Sequence, residues 1–184
     1  MIIDKTYSVR WYGPFESVEK VRDFEKENKD IICQLYILNG YKPRAKYSSY
    51  YCGQTQRGVY KRLTDANHHI NDFNSDRIEA IWIGSITNIN PTKTDINVVE
   101  KIITAQLQET YTSRFILNET NTNFPKYNVY VLNFWHKKDC NRLSRYKQYT
   151  IPAELPDVIG HEYEKIIDAH CLFSAGKIKW YKID

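Results

Sequence analysis

The sequence predicts a single domain with a mixed α/β core and additional segments at both ends. Stretches in which apolar and polar residues alternate, as in half-buried strands, are separated by stretches with apolar residues at helical spacing. With 184 residues, of which 42% are hydrophobic and 26% charged, the composition is that of one ordinary globular domain. A chain of this length can bury a hydrophobic core of its own.

The strands are predicted by short apolar runs, rich in β-branched and aromatic residues, that end at turn-forming residues. They cover residues 6–12, 31–38, 48–53, 77–86 and 127–134. Gly13-Pro14 is expected to end the first strand as a turn. The basic, tyrosine-rich residues between the second and third strands are expected to form a rather long hairpin loop.

The helices are predicted where a capping residue precedes apolar residues that share one helical face. The expected caps and ranges are Ser17 with a helix to about Asn28, Thr55 with a helix to about Asn67, and Asp95 with a helix from about 96 to 112. Towards the C-terminus the pattern weakens. There we expect a strand near 149–151, a helix over about 157–168 and a final strand over 178–183.

Several classes of protein are disfavoured by features that the sequence lacks. No apolar run approaches the roughly 18 residues of a membrane helix, and the N-terminus lacks the pattern of a signal peptide, so we expect an intracellular, cytoplasmic protein. The four cysteines are scattered without a C-x-x-C pair, which favours buried free thiols over a zinc or redox site. No glycine-rich phosphate loop or G-x-S-x-G motif is present.

The net charge of +4 is concentrated in two segments. Residues 32–75 contain six basic and two acidic side chains, and residues 126–149 contain six and one. If the fold brings these segments together, they form a basic surface interleaved with tyrosines, which suits a polyanion. The alternative, that these cations only solvate the surface, stays open.

The residues with the clearest chemical meaning follow the order strand, strand, helix, strand, helix. Tyr36 lies in Leu35-Tyr36-Ile37, the next strand contains Tyr51-Cys52-Gly53, and the two helices carry Arg62 and Glu100. This constellation, within about residues 31–130, resembles the GIY-YIG nuclease family. The resemblance implies an α+β fold with a small central antiparallel sheet flanked by helices. Residues 1–30 would then be an N-terminal addition that covers the sheet, and residues 131–184 a C-terminal addition.

The family often has a His or Tyr one helical turn after the arginine, and that position here is Ala66. At 3.6 residues per turn, residue 69 returns to the face of Arg62 two turns later, whereas residue 68 does not. His69 is therefore the candidate, rather than His68.

The resemblance implies a Mg²⁺-dependent endonuclease that hydrolyses phosphodiester bonds of DNA, with Mn²⁺ as a possible substitute. Glu100 would be the single metal-binding carboxylate, and Arg62 would bind the scissile phosphate with its planar, permanently charged fork. Tyr36 or Tyr51 would take the proton from water, with His69 as neighbour or relay. Because a phenol is a poor base at pH 7, we expect a depressed tyrosine pKa.

Further contacts with duplex DNA are expected from Gly53, Gln54, Lys61, Asn128, Lys137, Lys138, Arg142 and Arg145. Asn128 would correspond to the family's late asparagine, and Gly53 would let the backbone approach the site. A homodimer or a protein partner would supply specificity. Two alternatives stay open: a catalytically inactive nucleic-acid-binding module on the same fold, and a small protein whose tyrosine-rich surface binds another protein.

Overall fold

The computed structural model describes residues 5–110, 125, 127–142, 151–152, 155–162, 165–174 and 177–182. These residues form a mixed α/β fold, which confirms the predicted fold class. In chain order the elements are β1 Lys5–Phe15, α1 Val18–Glu27, β2 Leu35–Gly40, β3 Ser49–Gln54, α2 Val59–Leu63, β4 Ile78–Ile86, α3 Lys93–Thr110, β5 Val129–His136, β6 Val158–Glu162, β7 Lys165–Ser174 and β8 Lys177–Lys182. Two 3₁₀ turns, His69–Asp72 and Ser75–Arg77, precede β4.

The described strands form one sheet in the order β3-β2-β4-β1-β5-β6-β7-β8. Neighbouring strands are antiparallel except for β1 and β5, which are parallel. The sheet is thus larger than predicted and mixed. The expectation that the N-terminal strand covers the sheet is wrong, because β1 lies inside it between β4 and β5. Buried residues on both of its faces, such as Trp11 and Tyr12, suit that position.

The end of β1 also differs from the expectation of a turn at Gly13-Pro14. The strand continues through a cis Gly13-Pro14 peptide to Phe15, and its register with β4 shifts between Tyr12 and Phe15. Gly13 has φ +148°, and a Cβ there would lie 2.9 Å from the carbonyl oxygen of Ile81. A larger residue would therefore disturb the packing of β1 on β4.

Ser17 caps α1 as predicted, accepting a hydrogen bond from the amide of Lys20. The start of α3 differs from the expectation. Thr92, rather than Asp95, precedes its first residue, and the two exchange hydrogen bonds: Thr92 donates to the carboxylate and accepts from the Asp95 amide at 3.2 Å. This reciprocal arrangement resembles a capping box, with the acidic residue three positions after the cap.

The helix expected over about 55–67 is only one short helix, Val59–Leu63. At its start, the hydroxyl of Thr55 accepts from the Arg57 amide and stabilises a turn outside the helix. At its end, the Thr64 hydroxyl donates to the carbonyls of Tyr60 and Lys61. Such side-chain bonds compete with continuation of the helix.

The predicted helix over about 157–168 is wrong, because these residues belong mainly to strands β6 and β7. Pairing with β5, in which Val131 lies opposite Ile159, selects the extended conformation. The final predicted strand is confirmed as β8, whereas most of the strand expected near 149–151 lies outside the described residues. Among the described helices, none combines the length and apolarity needed to cross a membrane.

The sheet buries a hydrophobic cluster on each face. Helix α3 packs on one face with Cys52 and Leu35, and α1 and α2 pack on the other with Tyr36 and Tyr51. Successive residues of β3 therefore point to opposite helical layers, as the pleat requires. Since β3 is the outermost strand at its end of the described sheet, groups from both layers meet around its edge. Among the described residues, Cys33, Cys52 and Cys140 form no disulfide; Cys33 and Cys52 are buried, as predicted, and Cys140 is half-buried.

Candidate active site

Tyr36 and Tyr51 lie side by side on the face of the sheet that carries α1 and α2. In the antiparallel pairing of β2 with β3, Tyr36 lies opposite Gly53, and Leu38 lies opposite Tyr51. Since side chains alternate along a strand, both tyrosines point to the same face. Their ring centroids are 6.1 Å apart, and both side chains are buried.

Gly53 makes room for the phenol of Tyr36. A Cβ at residue 53 would overlap the ring and hydroxyl of Tyr36, and would lie 2.7 Å from its Cε2 atom. The expectation was that Gly53 lets the backbone approach the site where a Cβ would crowd it, and the group that a Cβ would crowd is the ring of Tyr36. The glycine allows the tyrosine to lie flat across β3.

Arg62 is positioned by α1 as well as by its own short helix. The Glu25 carboxylate accepts from the amides of Val59 (2.7 Å) and Tyr60 (3.2 Å), which satisfies the first turn of α2. Nothing in the local sequence of α2 indicates this cap, because it comes from another helix. It fixes the direction in which α2 presents Arg62.

The guanidinium of Arg62 donates to Asp65 at 2.9 Å, and the same carboxylate oxygen also accepts from Arg57. The hydrogen bond with Asp65 is the main cause that raises the pKa of Arg62, and Tyr36 and Tyr51 also raise it. The guanidinium thus lies within electrostatic reach of both phenols. In the free protein, the guanidinium of Arg62, which would bind a phosphate, is therefore paired with the carboxylate of Asp65.

The histidine that contacts Tyr36 is His68, whereas the expected candidate, His69, contacts Tyr51, and its role stays a prediction. Because α2 ends at Leu63, the helical count that favoured residue 69 does not apply. His68 is 2% exposed, and its Nε2 lies 2.6 Å from the Tyr36 hydroxyl. His69 is exposed and pairs with Asp72 at 2.9 Å, although its ring lies 4.9 Å from that of Tyr51.

The hydrogen bonds of His68 determine which ring nitrogen carries its proton. The Ile70 amide donates to Nδ1 at 2.9 Å, so Nδ1 is an acceptor. Burial, followed by the charge of Arg62, lowers the pKa of His68 to about 4, so the ring is neutral at pH 7. The remaining proton is therefore on Nε2, and His68 donates to the oxygen of Tyr36.

Both phenols have pKa values above the usual value for tyrosine, so the expectation of a depressed tyrosine pKa is wrong for the free protein. Burial is the largest cause, and it outweighs the lowering effect of Arg62 on both groups. The neighbouring phenol acts in opposite directions, raising the pKa of Tyr36 and lowering that of Tyr51. His68 thus contacts Tyr36, and the ring of Tyr36 lies beside that of Tyr51.

Glu100 joins this group from α3, on the opposite side of the sheet. Burial raises its pKa to about 7, while the nearby cations Lys101 and Arg62 lower it. Its charge in turn raises the pKa of Tyr51, so the carboxylate is within electrostatic reach of that phenol. A phenol, a guanidinium and a carboxylate that are distant in the chain therefore share one electrostatic neighbourhood.

The donor set available to a metal at this place is one carboxylate. Among the described residues, no group of three or more His, Cys, Asp or Glu side chains is clustered tightly enough to hold a metal ion. A single hard oxygen ligand fits Mg²⁺ or Mn²⁺, since Mg²⁺ binds readily through one or two carboxylates and keeps several waters. Glu100 fits that requirement once it is ionised.

Three residues near the site that were expected to contact DNA, Gln54, Lys61 and Asn128, have different surroundings. Gln54 donates to Asn97 at 2.9 Å and thereby links β3 to α3. Lys61 is exposed on α2. Asn128 precedes β5, which is four strand positions from β3, or about 19 Å at about 4.8 Å per strand. Its expected correspondence to the family's asparagine stays a prediction.

The basic residues expected after β5 lie beyond the end of β1 and β5. Lys137 and Lys138 are exposed, and Lys138 pairs with Glu16. The guanidinium of Arg142 lies 5.2 Å from the ring centroid of Phe134. Arg145 lies outside the described residues. Contact of this segment with DNA stays a prediction.

Comparison of the chain with protein-family models, with curated proteins and with solved structures finds no match. The resemblance to the GIY-YIG family therefore depends on the residues named above. Of these, Tyr36, Tyr51, Arg62 and Glu100 interact electrostatically with one another. His68 and Asp65 complete the group, and sequence reasoning did not select either of them. The spacing of Asp65, three residues after Arg62 on a helix, was the available signal.

Proposed function

We propose that the protein is a Mg²⁺-dependent endonuclease of the GIY-YIG type that hydrolyses phosphodiester bonds of DNA. The observation that carries this proposal is that Tyr51, Arg62 and Glu100 affect one another's pKa values and so share one electrostatic neighbourhood. Phosphodiester hydrolysis needs an acceptor for the proton of water, positive charge on the phosphoryl oxygens and stabilisation of the leaving oxygen. The three side chains are suited to these three tasks.

Arg62 binds the scissile phosphate by exchanging its carboxylate partner, Asp65, for two phosphoryl oxygens. Tyr51 accepts the proton of the attacking water, because it is the phenol that interacts electrostatically with both Arg62 and Glu100. The water oxygen then bonds to phosphorus as the bond to the leaving oxygen breaks. A Mg²⁺ ion held by Glu100 would supply the positive charge that the leaving oxygen needs.

Tyr51 must lose its own proton before it can act as a base. In the free protein the negative charge of Glu100 raises the pKa of Tyr51. A divalent cation held by Glu100 would counter that effect and lower the pKa of Tyr51. Tyr36, held by His68 beside Tyr51, would stabilise the developing phenolate. Tyr36 is thus a positioning residue, and Tyr51 is the base.

The test is nicking of supercoiled plasmid DNA in Mg²⁺, and in Mn²⁺, by the wild-type protein and by Glu100→Gln. Glu27→Gln is the matched control, because Glu27 is an exposed carboxylate at the end of α1. We expect nicking by the wild type and the control, and none by Glu100→Gln. Equal nicking by Glu100→Gln would remove the assignment of the metal ligand.

A second candidate function is a nucleic-acid-binding module without turnover. Two observations favour it. The raised pKa values of both phenols keep them protonated, so neither is a base at pH 7. The guanidinium of Arg62 is already paired with Asp65. This alternative predicts salt-dependent binding of duplex DNA and intact plasmid in both metals. Metal-dependent nicking by the wild type would exclude it.

A further inference from the structure

A second basic feature, separate from Arg62, lies in the loop between β2 and β3. Residues 41–48 contain three cations and no acidic residue. We call this loop, together with Arg77, the basic turn. The guanidinium of Arg77 lies 3.9 Å from the ring centroid of Tyr41 and donates to the carbonyl of Ala45 at 3.3 Å. These contacts hold the loop against the segment that precedes β4.

The tip of the loop presents Arg44 in a backbone conformation that favours glycine. The Ala45 amide donates to the Lys42 carbonyl at 3.0 Å, which closes a β-turn with Pro43 and Arg44 at its centre. Arg44 has φ +63°, and a positive φ at this third position is the feature of a type II turn, where glycine is preferred. The backbone conformation at this position would suit glycine better than arginine. The Arg44 side chain is exposed, so the fold does not require it for packing.

The basic turn lies along the sheet from the candidate active site. The Asn74 amide donates to the Tyr41 carbonyl at 2.7 Å, which joins the loop to the segment that carries His68 and His69. From Tyr36 to Gly40 the strand advances four residues, or about 13 Å at about 3.3 Å per residue. The loop therefore begins beyond the far end of the strand that carries Tyr36.

The acidic groups that flank the basic turn have polar partners of their own. Asp72 pairs with His69, the Asp76 carboxylate accepts from the hydroxyl of Ser75, and the Glu79 carboxylate accepts from the amide of Asn39. All three lie on the elements packed beside the loop, and none lies within it. The tip of the loop is thus the positive part of this surface.

We infer that the basic turn is a second binding site for the phosphate backbone of duplex DNA, separate from the phosphate bound by Arg62. This inference rests on the proposed function. The turn is assigned to phosphates, because lysine and arginine side chains position a protein on the DNA backbone without reading its sequence. Its role is to fix the direction in which the DNA crosses the edge of β3.

The test compares Arg44→Gly with Lys93→Ser, a control that removes an exposed cation at the start of α3. Binding to a fluorescent duplex is measured by anisotropy without divalent metal over a range of salt concentrations. The slope of log affinity against log salt is negative, and one lost phosphate contact makes it shallower by about 0.9. The affinity ratio of wild type to Arg44→Gly should then grow about threefold between about 200 mM and about 50 mM salt. The control should match the wild type.

Arg44→Gly should unfold at the same temperature as the wild type or higher, because glycine suits the positive φ. The triple variant Lys42→Ser, Arg44→Gly, Lys46→Ser should make the slope shallower by about 2.7. If both variants bind DNA with the same salt slope as the wild type, the basic turn is not a phosphate-binding site. That result would not contradict the nuclease proposal. Failure of the wild type to bind duplex DNA at low salt would remove both.

Discussion

Replacing Glu100 by Gln should stabilise the protein at alkaline pH. Burial raises the pKa of Glu100 from 4.5 to about 7. The difference of about 2.5 units corresponds to about 3 kcal/mol at about 1.4 kcal/mol per unit. Because the folded-state pKa is the higher one, this stability is present below the unfolded pKa and is lost as the pH rises through 7. Glutamine has nearly the same shape and does not ionise, so Glu100→Gln should not lose it.

The assay is denaturant unfolding of the wild type, Glu100→Gln and the exposed control Glu27→Gln at about pH 5 and about pH 8.5. Relative to Glu100→Gln, the wild type should lose about 2 to 3 kcal/mol between these pH values, and the control should follow the wild type. Adding Mg²⁺ at the higher pH should stabilise the wild type and not Glu100→Gln. If the free energy of unfolding changes equally with pH in all three proteins, the raised pKa of Glu100 is refuted. If Mg²⁺ stabilises the wild type and Glu100→Gln equally, Glu100 is not the metal ligand.

Other predictions concern the neighbours of the phenols. His68→Ala should lower the rate of plasmid nicking by about 10-fold or more and shift its pH profile upwards, whereas His69→Ala should change neither. Gly53→Ala should destabilise the fold by about 1 to 3 kcal/mol in denaturant unfolding, and a second substitution, Tyr36→Ala, should relieve the clash, seen as a non-additive double-mutant cycle. Asp65→Asn should release the guanidinium it holds and increase affinity for duplex DNA at low salt, and an unchanged affinity would contradict that role.

The strands around the site follow from local sequence, because each has a short apolar run that ends at turn residues. The predicted ranges for β2, β3, β4 and β5 each begin within four residues of the observed strands. The place of β1 does not follow in the same way. It is set by parallel pairing with β5, in which Val9 lies opposite Asn133, and a contact so distant in the chain leaves no local pattern.

The choice between helix and strand after residue 157 also depended on distant contacts. Adjacent apolar residues, such as Val158 with Ile159 and Ile166 with Ile167, fit a helical face and equally a strand that is covered on both sides. The open side of β5 decides the outcome, because its ladder of backbone groups pairs with β6. Sequence periodicity alone does not contain that information.

The residues of the candidate site were largely identified from their order in the chain, but their chemistry was not. The failure to select His68 came from extending α2 past Thr64, whose hydroxyl bonds back to the helix and helps to end it. The direction of the phenol pKa values was wrong because burial, which the sequence does not display, outweighs the charge of Arg62. Proximity to a cation is visible in a motif, whereas desolvation depends on the whole fold.

The most direct measurement is the rate at which supercoiled plasmid becomes nicked in Mg²⁺ with Tyr51→Phe, Arg62→Ala and Glu100→Gln, each compared with the wild type. If these three side chains act together on one phosphodiester, every variant should be slower by at least about 100-fold while still binding duplex DNA. A folded variant of any of the three that nicks plasmid at the wild-type rate would contradict the shared site.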